Sequence, residues 1–169
     1  MADDALPYKF HQTVGFHFRV IFEGLKNDKG QPADNSVETS LEMRFQSVSG
    51  LDASLETETV KEGGENRYEH VIPVRRKYGP LVLKRGLLKL NDSALSQWFR
   101  RAFEDEKVEP LQHVEIQLLN QDHEPLMLWS AIWVWPKSWK VGELNAERAE
   151  ILIETLELNY NRFVFKNGA

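Results

Sequence analysis

The sequence predicts a mainly β protein, an antiparallel β-sandwich or barrel with one packed α-helix, and three observations carry that reading. Apolar residues recur at every second position through most of the 169-residue chain. The 3.6-residue helical period occurs convincingly once. Clusters of Gly, Pro, Asn and Asp divide the alternating runs. The length suits a single domain over residues 1–169, with an N-terminal arm at 1–14 and a long loop at 26–40.

The first strand is read from Phe16, Phe18, Val20 and Phe22, which alternate with His17 and Arg19. Lys26–Ser40 is rich in Asn, Asp, Gly, Pro and Ser and exceeds the usual connection length, which marks a functional or mobile loop. A strand near Glu42–Val48 ends at the turn or bulge Ser49-Gly50. Leu51–Val60 then alternates strictly. Leu51, Ala53, Leu55, Thr57 and Thr59 fall on one face, and Asp52, Ser54, Glu56 and Glu58 on the other. The turn Lys61-Glu62-Gly63-Gly64-Glu65-Asn66 leads to Arg67–Arg75, so the two runs form a long hairpin. Pro73 lacks a backbone donor and places the second run at an edge or a bulge.

Tyr78-Gly79-Pro80 is a turn and Leu81–Leu83 a short strand running into Lys84-Arg85-Gly86. The helix covers Asp92–Glu104, capped by Asn91 or Asp92, with Leu95, Trp98, Phe99, Ala102 and Phe103 forming one apolar stripe. Strands follow at Val114–Leu119, Leu126–Trp135 and Ala149–Tyr160. In the last, the apolar phase moves from Ile151 and Ile153 to Leu156, Leu158 and Tyr160, which predicts a bulge near Glu154–Thr155.

Composition narrows function by exclusion. Twenty-one Lys and Arg against 26 Asp and Glu give a net charge of −5, the opposite of a dedicated nucleic-acid binder. With no cysteine, disulfides, thiolate metal sites and cysteine nucleophiles are ruled out. The start, Met1-Ala2-Asp3-Asp4-Ala5-Leu6-Pro7, is acidic rather than signal-like, and no run approaches a membrane-spanning length. A chain made and folded in a cytoplasm is expected, without membrane insertion by the monomer, and free to leave later inside a larger particle.

Chemistry-bearing motifs are scarce. His11, His17, His70, His113 and His123 show no metal-ligand spacing and are read as structural histidines. Gly63-Gly64 has neither the remaining P-loop residues nor a following helix, so it is read as a hairpin turn. Asp52, Glu56 and Glu58 lie along one strand face, a solvated charged face rather than an acid/base pair flanking a substrate. Arg75-Arg76-Lys77 and Lys84-Arg85 suit weak phosphate binding or contact with an acidic neighbouring subunit. Trp129, Trp133 and Trp135 share a face at period two, with Trp139 close by; core or subunit interface is favoured over a carbohydrate or base platform. No nucleophile–base pair supports a hydrolase. No cofactor is expected.

One ordered set of motifs is more informative. Gly15-Phe16-His17-Phe18-Arg19-Val20 and Phe45-Gln46-Ser47-Val48-Ser49-Gly50-Leu51 come first, then Glu62-Gly63-Gly64-Glu65-Asn66 and Lys77-Tyr78-Gly79-Pro80-Leu81-Val82-Leu83-Lys84-Arg85-Gly86. Trp98-Phe99, Trp135-Pro136-Lys137-Ser138-Trp139 and Ile153-Glu154-Thr155-Leu156-Glu157-Leu158 complete it. From about Gly15 to Tyr160 the chain resembles the tube proteins of contractile phage tails and related contractile injection systems. The loop at Lys26–Ser40 is longer than that family's usual pattern, and tube-initiating paralogues share the motifs.

The resemblance implies a non-enzymatic structural subunit that closes into homohexameric rings. Rings stack into a tube whose lumen is a continuous β-barrel conducting a protein toxin or nucleic acid. Its partners are further copies of itself, a contractile sheath, and baseplate and tube-initiator proteins. Within that frame Asp52, Ser54, Glu56 and Glu58 are expected to face the lumen, and Leu51, Ala53 and Leu55 to pack on the sandwich core. The turn Lys61–Asn66 is a candidate for contacts between subunits and rings, as is the loop 26–40. The alternative is a monomeric β-sandwich module that uses the Trp row to bind a ligand.

Overall fold

The computed structural model describes residues 17–26, 45–60, 69–89, 93–147 and 150–167. Their elements, in chain order, are β1 (Phe18–Glu23), β2 (Ser47–Ser49), β3 (Ala53–Val60), β4 (His70–Tyr78), β5 (Leu81–Gly86), α1 (Ala94–Phe103), β6 (Leu111–Leu119), β7 (Pro125–Val141) and β8 (Ile153–Asn167). Six strands form one antiparallel sheet in the order β1-β6-β7-β8-β5-β2, while β3 and β4 pair only with each other. The described residues therefore form a mainly β architecture with one helix, built from one curled sheet and a separate hairpin.

The sheet curls around a single core. Val20 and Phe22 of β1, Leu83 of β5, Val114 and Ile116 of β6, and Leu156 and Leu158 of β8 are buried together with Leu95, Trp98 and Phe99 of α1. On the open side the ring of Phe22 in edge strand β1 and that of Phe45, just before edge strand β2, have centroids 6.2 Å apart. A shallow cleft of about 220 Å³ marks that opening, lined by Phe18, Val48, Leu51, Ile116, Leu118 and Trp129 among others.

How one sheet bends so far is visible at Trp133. This residue sits in the left-handed region at φ 55, where a bulky side chain is uncommon. The β6–β7 and β7–β8 ladders skip it and resume in the same register, with His113↔Ile132 and Leu111↔Val134 on one side and Ile132↔Arg162 and Val134↔Tyr160 on the other. The inward set changes parity there. Val114 and Ala131 are buried before the break, and Leu111 and Val134 after it. Both halves of the bent sheet thus turn apolar residues toward the same core, as strands do at the corners of orthogonally packed sheets. The break also splits the Trp row: Trp133 is 51% exposed, while Trp129 and Trp139 pack on the core.

The bulge expected near Glu154–Thr155 is absent. The β5–β8 pairing runs through Arg85↔Glu154 and Lys84↔Thr155 without a shift, and the nearby irregularity lies on β7 between Pro136 and Ser138. Glu154, Leu156, Leu158 and Tyr160 all face inward in one phase, and Ile151 is solvent-exposed. A buried carboxylate thus occupied a core position that an apolar-only pattern skips. Its partner is Arg85, whose Nε donates to Glu154 Oε1 at 2.5 Å and whose Nη2 donates to Ser96 Oγ at 2.8 Å. Trp139 Nε1 donates to the other carboxylate oxygen at 2.8 Å. Both charges are removed from water and tie β5, β7, β8 and α1 together. Arg85 therefore leaves the surface basic cluster in which the sequence placed it.

Helix α1 is shorter than its sequence pattern, and its cap is Ser93 rather than Asn91 or Asp92. Ser93 is extended (φ −136, ψ 114) and its Oγ accepts the Ser96 N–H at 3.4 Å. The apolar stripe enters the core at Leu95, Trp98 and Phe99, while Ala102 is half-buried and Phe103 is exposed, its ring 6.1 Å from Phe99. Trp98 Nε1 is satisfied by the Glu109 carbonyl at 2.8 Å. Among the described residues no helix is long and apolar enough to cross a membrane.

Candidate functional site

The β3–β4 hairpin departs from the rest of the molecule because the described residues leave it exposed. Every residue of β3, and every residue of β4 except the half-buried Tyr78, is exposed. The hairpin leaves the core at Gly50 and Gly79. Gly50 adopts φ +87, and a Cβ there would stand 1.9 Å from the Pro80 carbonyl oxygen, so only glycine fits. Opposite it, Gly79 N–H donates to Asp52 O at 3.4 Å, and Asp52 Oδ2 would lie 2.7 Å from a Cβ on Gly79. Tyr78 packs on Tyr160 and Phe163 at 5.8 and 5.3 Å between ring centroids. Tyr160 Oη donates to Gly50 O at 3.1 Å, and burial, followed by the Asp52 charge, pushes its phenol up to about 12. The base is pinned and the rest projects.

Register sorts the hairpin into two faces. Ser54 stands opposite Lys77, Glu56 opposite Arg75, Glu58 opposite Ile72 and Val60 opposite His70, which composes one largely polar face. Glu56 lies 3.5 Å from Arg75 and 4.0 Å from Lys77. Leu55 opposite Arg76, Thr57 opposite Pro73 and Thr59 opposite Val71 compose the other. The register shifts after Glu56, at Val74, so Pro73 does lie beside a bulge on an edge strand. That shift brings Arg75 and Lys77 onto the acidic face and so mixes its charge.

The expectation that Leu51, Ala53 and Leu55 pack on the core holds only for Leu51, which is half-buried against it. Ala53 is exposed and Leu55 is 60% exposed, because the hairpin diverges at Gly50 before either reaches the sheet. On the same face Val71 is 61% exposed. Asp52 stands at the hairpin base, whereas Ser54, Glu56 and Glu58 run along its length. The turn Lys61, Glu62, Gly63, Gly64, Glu65, Asn66 lies outside the described residues, as do the arm 1–14 and residues 27–40 of the long loop.

Chemistry of the catalytic kind has little to work with in this arrangement. The lining of the cleft between the sheet edges contains no titratable side chain. Among the described residues no group of three or more His, Asp or Glu side chains is placed to hold a metal ion. Glu157 is held below the usual carboxylate range by its hydrogen bond from Lys140 at 2.6 Å, with Lys137 at 3.6 Å, a surface charge cluster rather than a reactive group. Two histidines that spacing could not have linked, His17 and His123, do meet at 2.9 Å. What the hairpin can do is join other surfaces: among the described residues β3 and β4 pair with no further strand, one face exposes Leu55 and Val71, and the other carries Glu56, Glu58, Arg75 and Lys77.

The family model of T4-like virus tail tube protein gp19 matches residues 14–164. A chain in the cryo-EM structure of the anti-feeding prophage baseplate is 30% identical over 93% of this chain and 97% of that one, with a TM-score of 0.76. A chain from the sheath–tube complex of an extracellular contractile injection system, PVC, in its extended state is 22% identical over 94% of each chain, with a TM-score of 0.71. A chain of the anti-feeding prophage tube-terminating cap is 23% identical over 98% of this chain and 96% of that one, with a TM-score of 0.70. No curated protein sequence matches significantly. With the family model spanning nearly the whole chain and a 30% identical relative covered end to end, this protein belongs to the T4-like tail tube protein family.

Proposed function

We propose that this chain is the inner-tube subunit of a contractile injection system or contractile phage tail, closing into homohexameric rings that stack around a cargo-conducting lumen. The observation that carries the reading is the hairpin. Leu55 and Val71 are exposed on one of its faces and the described residues do not cover them; in this reading a second subunit does, and it extends the pairing of the two-stranded sheet. A heterologous contact of this kind generates rings when its rotation closes. The opposite face carries Ser54, Glu56 and Glu58 with Arg75 and Lys77, and water in a bore keeps such a face solvated. In this reading Asp52, at the base, borders the same lumen. The cargo is a protein toxin or nucleic acid, the outer partner a sheath, and the tube ends meet baseplate and initiator proteins. Assembly starts in the cytoplasm, and no bond-breaking step is assigned to the chain.

Negative-stain microscopy and sizing test this directly. Wild-type chain forms rings or tubes, whereas Leu55→Asp with Val71→Asp gives a folded particle of about 20 kDa, since surface substitutions move stability by only about 0.5 kcal/mol. Glu56→Lys with Glu58→Lys keeps the rings and alters cargo loading. Loss of rings in that variant assigns the acidic face to an interface instead. A second reading, the tube initiator, is favoured by the 30% identical relative coming from a baseplate structure. An initiator stops at single rings where a tube subunit polymerises.

A further inference from the structure

We propose that His17 and His123 form a binding site for one borderline divalent transition-metal ion, of the zinc or nickel class. The two rings meet edge to face with centroids 4.6 Å apart, and His123 Nδ1 lies 2.9 Å from His17 Nε2. The β1–β6 pairing brings them together at one end of the sheet, His17 from the residue before β1 and His123 from the β6–β7 turn.

Both ligands are held in place. His17 Nδ1 lies 3.0 Å from the Asn120 carbonyl. A carbonyl only accepts, so Nδ1 carries the hydrogen and Nε2 presents its lone pair toward His123. A histidine whose second nitrogen donates to a backbone carbonyl is the usual outer-shell arrangement of a metal ligand. His123 is held at φ 64 in a turn that Asn120 organises: its Oδ1 accepts from Asp122 N at 2.8 Å and Glu124 N at 2.9 Å, and its Nδ2 donates to Glu124 Oε2 at 3.1 Å. The backbone at His123 is thus in a sparsely populated region and directs the ring back onto β1.

In the metal-free pair His123 Nδ1–H donates to His17 Nε2. Metal entry requires that this hydrogen move to His123 Nε2 and that the exposed His123 ring turn to aim its Nδ1 lone pair at the same point as that of His17 Nε2. Both imidazoles stay neutral, no proton is released, and two nitrogen lone pairs then converge. Zinc–nitrogen bonds of about 2.0–2.1 Å at a tetrahedral angle separate the nitrogens by about 3.3 Å, so the pair opens by a few tenths of an ångström. Neutral imidazole suits zinc, nickel and copper and disfavours calcium and magnesium. With two protein donors, water completes the coordination. Bound metal clips the start of β1, an edge strand of the six-stranded sheet, to the β6–β7 turn.

Calorimetric titration of the full chain with zinc sulfate, alongside thermal unfolding with and without the ion, tests the site. The expected result is one zinc per chain and a melting temperature that rises with zinc concentration. His123→Ala, in an exposed turn, and His17→Ala each lower the affinity by more than the roughly 10–100-fold that an outer-shell change costs. His113→Ala, whose ring faces Ser130 instead, binds as wild type does. Equal binding by wild type and His123→Ala, or no heat at millimolar zinc, reduces the pair to an imidazole–imidazole hydrogen bond and overturns the proposal.

Discussion

The curled sheet and the β3–β4 hairpin are written in the same alternating pattern, yet among the described residues the sheet's inward face is covered and the hairpin's faces are not. In the sheet, each inward residue meets α1 or the facing strands, and even the buried charges of Arg85 and Glu154 find each other. In the hairpin the alternation is equally regular, but Leu55 and Val71 meet solvent. Period-two patterning specifies that one face wants to be dry. It is silent on which chain supplies the cover. If the hairpin is the assembly element proposed above, stability of the subunit and its assembly fall to separate parts of the molecule, joined at Gly50 and Gly79.

Substitutions that act on one region and spare the other sharpen this division. The largest effect is expected at Glu154. Glu154→Ala leaves the Arg85 guanidinium buried and unpaired, which costs about 3–5 kcal/mol, read as a lower midpoint in urea unfolding of the subunit. The double change Arg85→Met with Glu154→Leu removes both charges and recovers most of that loss, because a buried pair adds little over packed hydrophobic residues. If Glu154→Ala unfolds at the wild-type midpoint, the pair does not anchor the core and the contrast with the hairpin fails. Gly50→Ala comes next. The left-handed backbone alone costs a β-carbon roughly 1–3 kcal/mol, and the clash with Pro80 O must also be relieved. Because the strain falls at the junction, the hairpin is re-aimed. Hydrogen exchange is then expected to rise at Tyr78 and Leu81 while the β6–β7 amides stay protected, and rings are lost.

Which of these features were legible beforehand follows from what alternation encodes. The strands β1 and β3 and the helix are legible because their periods are clean, while β4 and β6 are legible as strands although each changes phase along its length. The stripe Leu95, Trp98, Phe99 reached the core as read, but Phe103 did not, since the helix ends there and its last turn projects past the sheet. Glu154 was misread because a carboxylate facing inward looks like a slipped phase unless its arginine is already known. Trp133 was placed in a row with Trp129 and Trp135 because the rule of two assumes an unbroken pleat, and a left-handed residue breaks it. The meeting of His17 with His123 across 106 residues is a product of the β1–β6 pairing, which no local spacing encodes. Along β3 the register keeps Ser54, Glu56 and Glu58 on one face and Ala53, Leu55 and Thr57 on the other. On β4 the shift at Val74 exchanged the phase and put Arg75 and Lys77 beside Glu56.

Tyr160 gives the smallest effect at neutral pH and the most specific test of how the hairpin is fastened. Its phenol belongs to the sheet, donates across the junction to Gly50 O, and is raised from the ordinary 10 to about 12 by burial and by the nearby Asp52 charge. The unfolded chain releases this proton near pH 10 while the folded chain keeps it. The stabilisation is therefore fully present below pH 10 and is lost as pH rises toward 12. Tyr160→Phe keeps the ring against Tyr78 and Phe163 and loses only the hydrogen bond, so at pH 7 it costs about 0.5–1.5 kcal/mol. Between pH 10 and 12 its stability falls less steeply than that of wild type, and the two unfolding curves converge. A mutant whose stability falls in parallel with wild type over that range places the alkaline transition on other groups, and shows that the junction is held by the Gly50–Pro80 backbone contact without help from the phenol.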